Sequence, residues 1–350
     1  MTTRRVVAFG GGHGLSASLR ALRHCAPELD LDITAVVTVG DDGGSSGRLR
    51  AERGGLPPGD LRQALVALAG DHPATRRSAG LFQHRFAAVP VGVPRSDGTD
   101  RGPVASDGPA PHGTDGASVG TDGLTGHAVG NLVLCGLMEL LGDPVAALEH
   151  AGAMLGAVGR VLPMSRQPVG IEARVRGADP AAPDEVRTVT GQHQVAVTTG
   201  RVESLRLTPS APPACAEAIE AIRAADWLIF GPGSWYTSVL PHLLVPQLAD
   251  AIVSTSARRL VTLNLAAEKE TLGLSVADHL AALHWYLPEL KVDLVLADAK
   301  AVGDPEPVER AAESLGARLV LAPVAVVDGT PRHDPAALGA ALVPVLGADR

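Results

Sequence analysis

Two apolar runs with a helical segment between them open the chain. Residues 4–10, RRVVAFG, form a short apolar run that ends in glycines, which is typical of a buried parallel strand. Leu15, Leu19 and Leu22 follow at the spacing of one helix face, and residues 32–40, DITAVVTVG, form the second run. This opening predicts a doubly wound, Rossmann-like sheet with helices in the two outer layers.

The same two patterns continue along the chain. Apolar runs predict further strands at residues 227–230, 259–263, 292–296 and 318–324, and helical spacing predicts helices at 60–69, 131–141, 144–155, 214–224, 241–254 and 276–283. Residues 161–207 alternate apolar and polar positions instead, which predicts a small antiparallel β subdomain or ribbon in the middle of the fold. We therefore expect one Rossmann-like domain over residues 1–350.

Residues 87–124 interrupt this pattern with a low-complexity segment. It repeats Ser/Thr-Asp-Gly and is rich in proline, so it cannot bury enough apolar surface to offset the entropy of ordering. We expect a disordered insertion within the domain rather than a linker between domains.

Composition excludes several classes of protein. The net charge of −8 argues against a nucleic-acid or anionic-membrane surface, and the apolar run at residues 130–142 is interrupted by Glu139. The three cysteines, Cys25, Cys135 and Cys215, are far apart and form no CxxC pair, which fits a reduced compartment. We expect a cytoplasmic protein without membrane insertion.

Two glycine-rich turns follow predicted strands. In the first, Gly12, Gly14 and Ala17 match the G-x-G-x-x-G/A fingerprint between a strand and a helix, where backbone N–H groups approach a diphosphate. The second, GPGSWYTS at residues 231–238, stands at another strand-to-helix junction. Both predict a phosphate or ligand site at the carboxyl edge of the sheet.

The segment DDGGSSGRLR, residues 41–50, reads as a functional loop after the second strand. Asp41 or Asp42 would meet a ribose hydroxyl or hold a divalent metal beside a phosphate, and the following serines and Arg48 supply donors. Asp60 caps a helix after Pro-Pro-Gly, and Asn131 shares a helix face with His127. We assign no nucleophile, catalytic base or Walker A motif.

In this order, GGGHGLS, DDGGSSGRLR, PPGDLRQAL, GHAVGN and GPGSWYTSVLPHLLVP resemble the gluconeogenesis factor (YvcK-like) family. That family is related to the 2-phospho-L-lactate transferases of coenzyme F420 synthesis. The resemblance implies a Rossmann-like cytoplasmic regulator that binds a nucleotide sugar similar to UDP-N-acetylglucosamine and is needed for cell shape and wall synthesis on gluconeogenic carbon sources. A cell-wall or metabolic enzyme as partner, and a homo-oligomer, are further expectations.

The motifs and the resemblance together give a set of candidate nucleotide-binding residues. They are Gly10, Gly11, Gly12, His13, Gly14, Asp41, Asp42, Ser45, Ser46, Arg48, Asp60, Asn131, Gly231, Gly233, Ser234, Tyr236, Thr237, Ser238 and Asn264. Asp41 and Asp42 are also the candidate ligands of Mg²⁺, the one cofactor we consider. The chain departs from the family at residues 264–275, NLAAEKETLGLS, where a Gln-Pro-Gly is lost and Leu274 replaces an aromatic residue.

Three functions remain open from the sequence. A nucleotide-sugar-binding regulator without turnover is favoured, because binding needs only glycine turns and strand-edge acids. The alternative is a Mg²⁺-dependent phospholactyl-type transferase acting on a deazaflavin, in which positioning and electrostatics would supply catalysis. A nicotinamide dehydrogenase is the weakest reading, since it gives DDGGSSGR and GPGSWYTS no role.

Overall fold

A seven-stranded sheet forms the centre of the molecule. The computed structural model describes residues 2–88, 123–271 and 273–348. The sheet contains β1 (Arg4–Gly10), β2 (Leu31–Val37), β3 (Arg160–Pro163), β7 (Trp227–Phe230), β8 (Arg258–Thr262), β9 (Leu294–Asp298) and β10 (Arg318–Ala322). Its strand order is β10-β9-β8-β7-β1-β2-β3, and every adjacent pair is parallel. The predicted Rossmann-like parallel sheet is confirmed.

Helices flank this sheet and complete the strand–helix–strand units. They are α1 (Gly12–His24), α2 (Gly44–Arg53), α3 (Pro58–Ala67), α4 (Pro73–Gln83), α5 (Val129–Leu141), α6 (Pro144–Leu155), α7 (Gln192–Val197), α8 (Ala216–Ala224), α9 (Pro246–Ser254), α10 (Val276–Tyr286), α11 (Ala299–Val302), α12 (Glu306–Ser314) and α13 (Pro335–Gly347). A π-helical turn at Trp235–Val239 and 3-10 turns at Leu240–Leu244 and Lys269–Thr271 complete the set. Among the described residues, no helix is long and apolar enough to cross a membrane.

The sheet order reverses between β1 and β7. From β1 the chain builds outward through β2 and β3, then returns to place β7 on the other side of β1. Neighbouring crossovers leave to opposite sides at such a point, so a crevice opens beyond the carboxyl ends of the two strands. Both predicted glycine turns lie at this crevice, since one follows β1 and the other follows β7.

A second sheet holds the antiparallel strands. It consists of β5 (Val186–Thr190), β4 (Gly170–Arg176) and β6 (Arg201–Thr208), in that spatial order, and both pairs are antiparallel. This confirms the small antiparallel sheet in the middle of the chain. The start of the predicted range 161–207 belongs elsewhere, because β3 pairs in parallel with β2 in the main sheet.

The structure corrects two local predictions. Residues 44–53 form α2, although we read residues 41–50 as a loop; Ser45, Ser46 and Leu49 are its buried residues, and this face holds the helix against the domain. The predicted helix at 241–254 is divided into a 3-10 turn and α9, with Pro246 in the first turn of α9.

Cys25, Cys135 and Cys215 are free thiols in the structure. The predicted disordered insertion at 87–124 lies almost wholly outside the described residues.

Candidate functional site

The two glycine turns are in direct contact across the crevice. A Cβ atom added to Gly14 would lie 2.3 Å from the Pro232 carbonyl oxygen and 2.5 Å from the Gly233 Cα, so only glycine fits there. Gly231 has a φ of +74°, which glycine adopts without strain, and its carbonyl accepts a hydrogen bond from Ser18 at 2.8 Å. The first turns after β1 and β7 therefore form one continuous backbone surface.

Asn264 fixes the second turn from the end of β8. Its side-chain oxygen accepts from the Gly233 N–H and its amide nitrogen donates to the Gly233 carbonyl, both at 2.9 Å. Ser234 donates to Glu268 beside it. Asn264 is thus a positioning group for the turn, because both halves of its amide are used by the protein itself.

Asp60 lies beneath the first turn. Its carboxylate accepts from Thr38 Oγ1 at 3.1 Å, and a Cβ on Gly11 would lie 2.4 Å from Asp60 Oδ2. Burial and the nearby negative charge of Asp41 raise the pKa of Asp60 to about 7. Because this pKa is close to neutral pH, the charge of the Asp60 carboxyl group changes when a cation or a proton enters the crevice.

Asp41 and Ser46 approach the start of α3 from the other side. A Cβ on Gly59 would lie 2.3 Å from Ser46 Oγ and 2.5 Å from Asp41 Oδ2. Asp41 also accepts from the Gly43 N–H at 3.0 Å. The side chains that face the crevice from this part of the chain are therefore those of Asp41, Ser46 and Asp60.

Asp42 has a different environment from its neighbour. Its carboxylate accepts from the His193 N–H at 2.8 Å, at the first turn of α7. Gln192 in the same turn donates to the Thr237 carbonyl at 2.9 Å. In this structure Asp42 caps α7 and ties the antiparallel sheet to the main domain.

Ser45 points toward α5 and enters a chain of buried hydrogen bonds. Arg62 Nε donates to Asn131 Oδ1 at 2.8 Å, and Asn131 Nδ2 donates to Ser45 Oγ at 3.0 Å. Because arginine can only donate, the Asn131 amide orientation is fixed, and the Ser45 hydroxyl forms the next hydrogen bond of the chain with His127 Nδ1 at 2.9 Å. Burial and then Arg48 lower the pKa of His127, which favours the neutral imidazole.

Arg48 and Arg85 stand at the mouth of this chain. Arg48 donates to the Thr125 carbonyl at 2.7 Å and Arg85 to the Gly126 carbonyl at 3.1 Å. Both side chains line an open cavity of ≈ 640 Å³ together with Ser45 and the glycines of residues 44–47. Two arginines and one acid, Asp42, therefore border the cavity.

The remaining predicted residues divide between the crevice and its support. His13 is exposed on the first turn of α1, whereas Tyr236, Thr237 and Ser238 are buried in the π-helical turn. The Tyr236 N–H donates to Glu270 Oε1 at 2.9 Å, and burial raises the pKa of Glu270 to about 7. Tyr236 therefore supports the turn from inside the protein.

Sequence reasoning missed several residues of the site. Four of them contact predicted site residues: Thr38, Gln192, Glu268 and Glu270. A fifth, Arg85, lines the same cavity as Ser45 and Arg48. Glu268 and Glu270 lie in the segment that departs from the family pattern, which was a usable signal. Arg85 and Gln192 stand outside every motif, and only the fold brings them to the site.

A divalent metal would find two carboxylates here. Asp41 and Asp60 approach the same crevice, and the charge of Asp41 adds to burial in raising the pKa of Asp60. No group of three or more His, Cys, Asp or Glu in the described ranges is placed to hold a metal ion. Mg²⁺ commonly takes one or two carboxylates and completes its shell with water and ligand phosphates, so the donor set fits a metal that arrives with a phosphate.

Comparison with protein families gives a match over most of the chain. Residues 6–320 match the family model described as 2-phospho-L-lactate transferase CofD.

Named relatives cover almost the full length. A protein of Mycobacterium tuberculosis strain CDC 1551, provisionally named gluconeogenesis factor, is 46% identical over 351 residues, 99% of this chain and 92% of the relative. The Bacillus subtilis protein named gluconeogenesis factor is 34% identical over 317 residues, 90% of this chain and 84% of its own. A crystal structure of a UPF0052 family member from Bacillus halodurans superposes with a TM-score of 0.78 at 31% identity, over 98% of this chain and 100% of that one.

Proposed function

This chain belongs to the gluconeogenesis factor family, and we propose that it binds a nucleotide sugar of the UDP-N-acetylglucosamine type without turning it over. In this proposal the ligand sets the activity of the protein as a cytoplasmic regulator. The output would be cell shape and wall synthesis during growth on gluconeogenic carbon sources, through a cell-wall or metabolic enzyme as partner.

The contact between Gly14 and the Gly-Pro-Gly turn is the observation that carries the proposal. It joins two strand-to-helix turns into one backbone surface at the reversal of the sheet order. A diphosphate fits such a surface, because glycines admit close approach and the N-cap residue of α1, Gly11, has no capping side chain. The Gly12 N–H is the exception, since it donates to Asp60. Nothing in this arrangement requires a nucleophile.

The acidic side chains of the crevice could bind the ribose of a nucleotide or a metal ion beside its diphosphate. Asp41 and Asp60 lie on the α3 side, where they would accept hydrogen bonds from ribose hydroxyls or hold Mg²⁺. A bound Mg²⁺ would neutralise the diphosphate charge. Asp42 is excluded from the ligand contacts in this proposal, because its carboxylate is used by α7.

Calorimetric titration of the full chain with UDP-N-acetylglucosamine tests the proposal, with Asp41→Asn as the diagnostic variant. Asp32→Asn is the matched control, since Asp32 is an exposed acid near the start of β2, the strand that precedes Asp41. We expect Asp41→Asn to weaken binding about tenfold, the loss of one charged hydrogen bond or metal contact. Equal affinity in Asp41→Asn and Asp32→Asn would remove Asp41 from the site.

A second candidate function is a Mg²⁺-dependent transferase acting on a deazaflavin. The description of the matching family model favours it, and so does the acid pair Asp41 and Asp60. Transfer would show as a phosphorylated deazaflavin product formed from Fo and a nucleotide-activated donor with Mg²⁺. We expect no such product, because the turn's aromatic residues, Trp235 and Tyr236, are buried and offer a tricyclic ring no open stacking surface.

A further inference from the structure

We propose that the cavity between α2 and α5 is a separate subsite for the phosphate group of a second small ligand. Its walls include Ser45, Arg48 and Arg85. The subsite would be occupied together with the nucleotide crevice. The proposal of this subsite depends on the proposed function in one respect, the assignment of the crevice as the nucleotide site.

Neighbouring side chains of residues 41–50 point to two different sites, the nucleotide crevice and the cavity between α2 and α5. Asp41 and Ser46 approach Gly59 at the start of α3, whereas Ser45 bonds to His127 and Arg48 to the segment before α5. The change of direction follows from α2, because consecutive residues of a helix point about 100° apart. One segment therefore presents Asp41 and Ser46 to the crevice, and Ser45 and Arg48 to the cavity.

The charge of the cavity selects an anion. Arg48 and Arg85 each donate to a backbone carbonyl in the described part of the chain. Asp42 also lines the cavity, and its carboxylate accepts a hydrogen bond from the His193 N–H. Arg62 lies behind the two arginines and is already engaged with Asn131. Among the described residues these two guanidinium groups bond to carbonyl oxygens and outnumber the one carboxylate of the cavity wall, which is the feature a phosphate would use.

The buried hydrogen-bond chain gives the subsite a rigid floor. Ser45 and His127 are 5% and 3% exposed, and Asn131 is 1% exposed. Each group is held by the next, from Arg62 through Asn131 and Ser45 to His127. The amino-terminal turn of α2 carries no side-chain cap, so its N–H groups add to the positive potential beside Ser45.

This geometry favours phosphate over carboxylate. Two arginines, a hydroxyl and a helix terminus approach from several directions and suit a tetrahedral anion with oxygens on all sides. Malonate could offer one planar carboxylate to each arginine, but neither group presents the tetrahedral set of oxygens that the hydroxyl and the helix terminus would also use.

The test uses the full chain with inorganic phosphate and malonate as probes. Phosphate affinity is measured by calorimetry for the wild type, for Arg48→Ala with Arg85→Ala, and for the control pair Arg53→Ala with Arg77→Ala. The control removes the same charge from exposed positions of α2 and α4. We expect the Arg48 and Arg85 pair to weaken phosphate binding at least about tenfold and the control pair to change it less than about twofold.

A nuclear magnetic resonance titration measures the pKa of His127 with and without phosphate. Phosphate would not change this pKa if Arg48 and Arg85 had only a structural role. The charged groups that act on this imidazole are Arg48, Glu52 and Arg85. Phosphate bound between the arginines would offset their charge, so the pKa of His127 should rise on adding phosphate in the wild type and in the control pair. It should not rise in the Arg48 and Arg85 pair, and the signal is assigned by its loss in His127→Gln.

Each outcome decides the proposal. Absence of phosphate binding, equal loss in the control pair, or tighter binding of malonate would overturn it. Repeating the titration with saturating UDP-N-acetylglucosamine separates the two sites: unchanged phosphate affinity supports a second subsite, whereas competition would place phosphate in the nucleotide crevice. If the sugar nucleotide fails to bind, the proposed function fails while the phosphate titrations still decide this inference.

Discussion

Replacing Gly14 by alanine tests the contact between the two glycine turns. The added Cβ would lie 2.3 Å from the Pro232 carbonyl oxygen, more than an ångström inside van der Waals contact. The obstructing atoms are backbone, and the two hydrogen bonds from Asn264 to Gly233 hold that backbone in place. The turns must therefore separate or the strand ends must shift.

The size of the effect follows from two opposing terms. Forcing a methyl group into a packed site costs about 1–3 kcal/mol. Alanine in place of glycine inside a helix gains about 0.5–1 kcal/mol, because the unfolded chain loses freedom. Gly136→Ala in α5 is the matched control, since an added Cβ there meets no atom within 4 Å and only the favourable term applies.

Urea unfolding of both variants provides the assay. We expect Gly136→Ala to raise the free energy of unfolding slightly and Gly14→Ala to lower it. Because the favourable helix term is common to both, the two should differ by about 1–3 kcal/mol. The denaturant slope should stay the same in both, because the native fold is kept. Equal midpoints for the two variants would show that the turns are not in contact, and the reasoning from backbone proximity would fail.

Three further perturbations test other parts of the site. The wild type should lose stability as pH rises from about 4 to about 7, because the pKa of Asp60 goes from 3.8 in the unfolded state to about 7 in the folded state and the native state therefore binds more protons in that window. Asp60→Asn should abolish this loss. Stability–pH curves of the same slope for the two proteins would contradict the prediction. Asn264→Ala should cost about 1–3 kcal/mol in urea unfolding, since two buried backbone groups of Gly233 lose their partner, and an unchanged midpoint would refute its positioning role. Asp42→Ala should destabilise the cap of α7 by about 1 kcal/mol while leaving nucleotide-sugar affinity within about twofold; a tenfold loss of affinity with the fold intact would return Asp42 to the ligand site.

The architecture could be predicted because its signals are local. Buried parallel strands read as apolar runs, and β1 and β7 ended where the runs RRVVAFG and WLIF ended. The glycine fingerprint after β1 also marked the site, since its spacing reflects how closely a backbone must approach.

Other features depend on contacts distant in sequence. Residues 44–53 read as a loop because glycine and serine are weak helix formers, yet burial of Leu49 and the two serines makes the segment helical. Asp42 and Asp41 are adjacent in sequence and chemically identical, so only the position of α7 separates their roles. Arg85 reaches the cavity because the strand-like bridge to Ala128 brings the ends of α4 and α5 together.

The central claim is that the crevice between β1 and β7 binds a nucleotide sugar. Calorimetric titration of the wild-type chain with UDP-N-acetylglucosamine, with and without Mg²⁺, tests it most directly, alongside GDP and the deazaflavin Fo. The account predicts saturable binding of the sugar nucleotide without product formation, and no heat from Fo. Binding of Fo and GDP, with no heat of binding for the sugar nucleotide, would contradict the claim and identify a transferase.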